Sequence, residues 1–228
     1  MEEKLYGNLI IIGGAEDKKR DKFILKEISN YIKNDKNHLV IAAIASEIPE
    51  ELGTEYKNIF EELGIGKVSI LEVKERKDAL KLENINLINS ATAVFFTGGD
   101  QLRITSMIGG TPLYKAIHKS YKNGCIYIGT SAGASVMSDT MIVSGLNDES
   151  PRKYTIKMAP GLGLIKDVII DQHFAQRGRI GRLLTAIAQN PQIIGIGIDE
   201  DTAIIVNDKA KFRVIGSGAV YILDGSEI

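Results

Sequence analysis

A serine, a histidine and a carboxylate can be picked out before any fold is assumed. The segment Gly129-Thr130-Ser131-Ala132-Gly133-Ala134 has the pattern GxSxG, directly after the apolar run 125–128 and before a short helix-compatible stretch. In that strand–turn–helix context the small neighbours let the chain turn sharply and present the serine hydroxyl. A helix start beyond it offers backbone N–H groups and a favourable dipole to a developing oxyanion. Without such flanks the same letters read as an ordinary close-packed turn. A serine hydroxyl needs a base to become nucleophilic, and the chain has only three histidines. His38 opens a strand at its amino end, and His118 sits beside Lys119 in an expected helix, where it should be solvated. His173 follows the apolar run 167–170, at the carboxyl end of a strand, and is the candidate base. The run 193–198 ends in Asp199-Glu200-Asp201, so an acid to orient the histidine is available at the same edge. Spacing alone leaves open which of the three serves. The order serine, histidine, acid differs from the serine, acid, histidine order of α/β-hydrolases.

More residues fall at this edge. Gly98-Gly99-Asp100-Gln101 follows the apolar run 93–96, and its backbone, at Gly99, could supply a second oxyanion donor beside the Ala132 N–H. Arg177, Arg179 and Arg182 crowd into the ten residues after His173. Arginines on a helix face are usually solvated, but three so close to a base suit a carboxylate clamp, because guanidinium binds carboxylate through paired hydrogen bonds.

The elements that must hold these residues alternate. Apolar runs at 8–12, 39–45, 68–73, 93–96 and 125–128 are separated by stretches with helical spacing. Examples are Ile24, Ile28, Tyr31 and Ile32, then Tyr56, Ile59, Phe60 and Leu63 before Gly64, and the stretch 112–122. Strands alternating with helices imply right-handed crossovers and a mostly parallel sheet covered on both faces. Ligands of such sheets sit at the carboxyl ends of the strands, where the candidates fall. After about residue 190, runs at 193–198, 202–206 and 212–223 are joined by short turns and predict an antiparallel extension. The polar segment from about 147 to 157, closed by Pro160-Gly161-Leu162-Gly163, is the candidate mobile loop near the site. The chain is expected to form one α/β domain over residues 1–228.

Composition removes several function classes. A hydrophobic content of 44%, a charged content of 25% and a net charge of -1 describe a globular protein with no basic field for nucleic acid or an anionic membrane. No apolar stretch approaches the about 18 residues that suggest a membrane span, and Met1-Glu2-Glu3-Lys4 does not open a secretory signal. One cysteine, Cys125, fits a reducing compartment, so a cytoplasmic location is expected. Three dispersed histidines and one cysteine write no zinc site. Gly13-Gly14 is not followed as a dinucleotide fingerprint requires, and no P-loop is present.

The runs IIIGGAEDK, FFTGGDQLRI, GTSAGASVMSD, MAPGLGLI, DQHFAQRGRIGRL and GIGIDEDTAI together resemble the cyanophycinase family, from about Leu9 to Val206. The resemblance implies a fold similar to class I glutamine amidotransferases and a serine–histidine–glutamate triad of Ser131, His173 and Glu200. It also implies a substrate pocket at Gln101, Asp171, Gln172, Arg177, Arg179 and Arg182. The implied substrate is cyanophycin, polyaspartate with arginine on each β-carboxyl, cut to β-aspartyl-arginine dipeptides by a homodimer without a cofactor or metal. The chain ends at Ile228, earlier than longer members of that family, so a C-terminal elaboration is expected to be missing. Three rivals remain. An aspartyl dipeptidase would share the triad without needing the DQHFxxRxRxxRL run. A glutamine amidotransferase would carry cysteine where Ser131 stands. A non-catalytic binding module would be expected to lose at least one of the three residues.

Overall fold

A computed structural model describes residues 8–33, 37–145 and 156–227. The strands are β1 (Leu9–Ile12), β2 (Leu39–Ala42), β3 (Val68–Ile70), β4 (Ala93–Phe96), β5 (Ile126–Thr130), β6 (Thr140–Ser144), β7 (Lys157–Pro160), β8 (Val168–Gln172), β9 (Ile194–Ile198), β10 (Thr202–Val206), β11 (Phe212–Gly216) and β12 (Val220–Leu223). Between them lie the helices α1 (Phe23–Ile32), α2 (Pro49–Glu62), α3 (Leu82–Ser90), α4 (Gln101–Ile108), α5 (Pro112–Lys122), α6 (Ala132–Ser135) and α7 (Ile180–Gln189).

The central sheet runs β11-β10-β1-β5-β4-β2-β3. Strands β1, β5, β4, β2 and β3 pair in parallel, and β10 and β11 add an antiparallel edge. The continuous apolar letters of the parallel strands follow from burial on both faces. Leu9 and Ile11 join Val40, Val94 and Phe96 in the core under α3, α4 and α5. Ile10 and Ile12 turn to the opposite core with Ile41, Phe95, Ile128 and the apolar stripes of α1 and α2. Polar signals set the helix ends. Asp100 caps α4 by accepting from the Leu102 N–H, and Thr111 does the same for α5, whose first residue is Pro112. Helix α2 closes as Gly64 and Ile65 donate back to Glu61 and Phe60.

The C-terminal strands do not form one extension. β10 and β11 lengthen the main sheet, whereas β9 pairs in parallel with β8 and antiparallel with β12 in a second sheet. That sheet packs on α7 through Ile169, Leu183, Ala186, Ile187 and Ile193. β6 and β7 form a separate hairpin. Residues 146–155, which hold most of the segment expected as a mobile loop, lie outside the described residues. Among the described residues no helix is long and apolar enough to cross a membrane.

Candidate active site

Ser131 stands between β5 and α6 with φ 53° and ψ −113°, a conformation that non-glycine residues seldom adopt. It persists only where the surroundings fix it, against about 1–3 kcal/mol of strain. Here its N–H donates to the Ile12 carbonyl, and its own carbonyl accepts from Ala134 and Ser135. The turn can be this tight because Gly133 has no side chain. A Cβ there would lie 2.2 Å from the Phe96 carbonyl oxygen.

The Ser131 Oγ is 2.9 Å from His173 Nε2, and His173 Nδ1 is 2.6 Å from Glu200 Oε1. A carboxylate only accepts, so the proton sits on Nδ1 and Nε2 is left to accept from the serine hydroxyl. His173 has φ 47° and ends the regular strand β8. Its ring occupies the space that a side chain on residue 14 would need: a Cβ on Gly14 would sit 2.4 Å from His173 Cε1. Burial holds the His173 imidazole below its ordinary pKa; the Glu200 hydrogen bond opposes this, and the charge of Arg177 adds to the lowering. The imidazole is therefore neutral at neutral pH, as a proton acceptor must be.

Of the three acids in the turn, Glu200 alone faces His173. Asp199 accepts from the Ala175 and Ala219 N–H groups at 2.9 and 3.0 Å. Asp201 accepts from the Asp17 N–H and the Ser217 hydroxyl. The line from Ser131 through His173 to Glu200 can take the proton of a serine hydroxyl attacking a carbonyl and return it to a leaving amine.

What aligns these three segments is the loop after β1. Three successive carbonyls, of Ile12, Gly13 and Gly14, accept from the N–H groups of Ser131, His173 and Asp201. Glu16, buried in the same loop, accepts from the Thr130 hydroxyl at 2.6 Å and from the Tyr56 hydroxyl. Burial raises its pKa, and the Thr130 and Tyr56 hydrogen bonds oppose the rise. Sequence reasoning missed Glu16 as a tie to the serine turn; an acid directly after an apolar strand and a Gly-Gly turn was the available signal. It also missed Gln176, whose Oε1 accepts from the Glu200 N–H at 3.0 Å.

The amides expected to face an oxyanion belong to Gly99 and Ala132. Neither donates to a backbone carbonyl among the described residues, and a first helical residue such as Ala132 has no intrahelical acceptor. Gly98 borders Ser131, 3.3 Å from its Cβ if a side chain were added. Gln101 donates to the Ile142 carbonyl at 2.9 Å, and its side-chain oxygen has no hydrogen bond among the described residues.

The arginines divide. Arg182 binds Asp171 in a paired contact, its Nε at 2.6 Å from Asp171 Oδ2 and its Nη2 on Oδ1. Asp171 is only 1% exposed. Arg179 donates to the backbone carbonyl and side chain of Gln172 at 2.6 and 2.8 Å, and burial lowers its pKa to about 10. Of the three arginines expected to clamp a carboxylate, Arg182 and Arg179 are buried next to an acid. Arg177, exposed and with no side-chain hydrogen bond among the described residues, is the guanidinium that remains open. The other histidines lie apart. His38 is buried and contacts Ser69 and Ser90. His118 is half-buried against Tyr114, with ring centroids 4.4 Å apart, rather than solvated.

The chain is similar to known proteins along most of its length. A cyanophycinase from Trichormus variabilis is 40% identical over 221 residues, 96% of this chain and 74% of that protein. A cyanophycinase from Geminocystis herdmanii is 40% identical over 226 residues, 99% of this chain and 83% of its own length. The crystal structure of a peptidase from an acI-B1 actinobacterium superposes with a TM-score of 0.72 over 97% of this chain and 92% of that one; at 24% identity it bears on the fold. Residues 9–214 match Peptidase family S51, and with that match and the 40% relatives on the same chain, the protein belongs to Peptidase family S51.

Proposed function

We propose that this peptidase is a cyanophycinase that works through an acyl-enzyme on Ser131. The observation that carries the proposal is the hydrogen-bonded line Ser131–His173–Glu200 in a chain 40% identical to cyanophycinases over nearly its whole length. Ser131 Oγ attacks the carbonyl carbon of a backbone peptide bond while its proton passes to His173 Nε2. The amides of Gly99 and Ala132 take the developing oxyanion, a term worth about 10²–10³ in kcat per donor in other acyl transferases. Collapse of the tetrahedral adduct breaks the C–N bond as His173 gives its proton to the leaving amine. Water, deprotonated by His173, then attacks the ester and releases the acyl fragment, restoring Ser131. Glu200 holds the imidazole in the productive tautomer throughout.

Cyanophycin carries a guanidinium and a carboxylate in each repeat, and the site offers a partner for both. Arg177 is the open cation, and the free carbonyl oxygen of Gln101 is an acceptor for a guanidinium. Asp171, Gln172, Arg179 and Arg182 shape the wall by holding each other. The resemblance extends the proposal to one cytoplasmic domain that acts as a homodimer. Exposed apolar side chains on the outer strands, Val214 at 47% and Ile222 at 56%, suit a subunit contact there.

The test is kcat/KM on cyanophycin, polyaspartate and an Asp-Leu dipeptide. A site that binds a charged group rejects analogues lacking it by about 10⁴-fold or more when its own polar groups are left unpaired, so polyaspartate should be a very poor substrate. Cleavage of Asp-Leu as fast as cyanophycin would replace this reading with an aspartyl dipeptidase.

A further inference from the structure

Outside the Ser131 line, Arg103 is a partly buried cation with no carboxylate partner among the described residues. Arg103, on α4, is half-buried, and its Nε is fully enclosed with no hydrogen-bond partner. Among the described residues its guanidinium meets no carboxylate, in contrast to Arg182 on Asp171. A buried donor left without a partner is costly, commonly about 1–3 kcal/mol and more for a charged group, and such an exception calls for an explanation. Arg103 lines a groove of about 840 Å³ whose walls include Asp100, Leu102, Ser106, Tyr114 and Pro160, a size suited to a ligand of several polar groups. The groove also has a place for a cation. Asp100 is exposed and uses Oδ1 to cap α4 at 2.8 Å from the Leu102 N–H, and its second oxygen has no partner among the described residues. One end of the groove adjoins the site, because Asp100 follows Gly99 directly and Gly98 borders Ser131.

We infer that this groove is a distal subsite for the polymer, in which Arg103 takes a carboxylate and Asp100 a guanidinium of a repeat beyond the one being cut. The inference rests on the cyanophycinase reading, since both charges come from the same repeating unit. Their order fits the chain: an acid and a base on one wall, three residues or nearly one helical turn apart, match a ligand that alternates the two. Binding energy gathered so far from the reacting bond favours long substrates over short ones.

The experiment compares kcat/KM on cyanophycin with kcat/KM on a two-repeat β-aspartyl-arginine oligomer, for the wild type, Arg103→Met, Arg103→Lys and Asp100→Asn. Arg103→Met keeps the aliphatic stem and removes the charge, and Asn caps a helix as well as Asp does. The polymer-to-oligomer ratio should fall about tenfold in Arg103→Met, the size expected for a lost charged hydrogen bond. It should fall less in Arg103→Lys, and fall again in Asp100→Asn. If Arg103→Met lowers the thermal midpoint, the Asp100→Asn ratio decides. Wild-type protein that leaves cyanophycin intact overturns the cyanophycinase reading and this one together. Wild-type protein that degrades it, with the ratio unchanged in both charge-removing variants, overturns the groove alone.

Discussion

The segment from Asp171 to Arg182 builds two neighbouring regions that treat charge in opposite ways. At one end His173 faces the loop edge with Nε2 on Ser131 and Nδ1 on Glu200, and the Glu200 side chain is about a third exposed, at 36%. At the other, Asp171, Arg179 and Arg182 are enclosed, with Arg182 paired to Asp171 and Arg179 bonded to Gln172. The first region can move a proton because its members are weakly solvated, aligned and not neutralised by a permanent counterion. The second is locked, since a paired guanidinium and carboxylate inside a protein can be released only by leaving a charge unpaired. Proximity in sequence therefore says little about whether a charged residue meets substrate or holds the wall behind it.

If the first region is the reacting one, its variants should lose rate and keep their fold. Ser131→Ala should lower kcat by about 10⁴-fold or more, as in other triads without their nucleophile, with a circular dichroism spectrum and unfolding midpoint close to wild type. Near-normal turnover in that variant would remove Ser131 from the chemistry. Glu200→Gln comes next, at roughly 10²–10⁴-fold in kcat, because an amide cannot hold the same imidazole tautomer. The same change at Asp199 or Asp201 should cost less rate, since those acids bind backbone N–H groups. A larger loss at either would move the orienting role to it.

The second region should respond in the other currency, stability. Asp171→Ala strands Arg182 in the interior and should lower the unfolding free energy by about 3–5 kcal/mol, read from the denaturant midpoint at constant m-value. Replacing both partners, Asp171→Leu with Arg182→Met, should recover much of that loss, because removing an ion pair whole leaves no unpaired charge. A single variant as stable as wild type would mean that the pair is open to solvent and that the contrast between the regions fails.

The sequence carried the parallel half of the fold well because its strands are buried on both faces, and such strands are continuous apolar runs between glycine and proline marks. β4, α5 and β10 fall where their letters put them. β9 was legible as a strand but not as a member of the second sheet. Its alternating glycines, Gly195 and Gly197, hide the contacts that decide its neighbours, since they leave room for Leu183, Ile187 and Phe174. The serine turn was legible because only small residues permit it. The acid was narrowed to three by sequence and resemblance pointed to Glu200; a one-residue difference in a turn reverses which side chain points at the histidine, and spacing cannot resolve that. The arginines were visible as a cluster, but their direction depends on how α7 packs against β8, a tertiary fact with no local signature. Glu16 carries a local mark, an acid just past Gly13-Gly14, but what it ties together depends on Tyr56 and Thr130, 40 and 114 residues away.

Arg177 sits between the two regions in sequence, cationic like the second but exposed, and its effect should be the smallest. Burial is the main cause of the low His173 pKa, and the charge of Arg177 adds to it. His173 must be neutral to accept the Ser131 proton, so activity is lost as pH falls through its pKa. A lowered pKa keeps the base available further into acid. Removing the Arg177 charge weakens that lowering, and the acid limb of kcat/KM, which reports the free enzyme, should move to higher pH in Arg177→Ala. Because Arg177 is exposed, the displacement from wild type should shrink as salt rises and the Debye length falls to about 3 Å at 1 M. Its substrate role makes a separate demand: KM for cyanophycin should rise in Arg177→Ala, and Arg177→Lys should restore the acid limb better than it restores KM, since lysine keeps the charge but not the paired donors. An acid limb that stays in place while KM rises would leave Arg177 as a substrate contact alone. A limb that moves with KM unchanged would make it part of the electrostatic setting of His173, and the open cation of the site would have to be sought elsewhere.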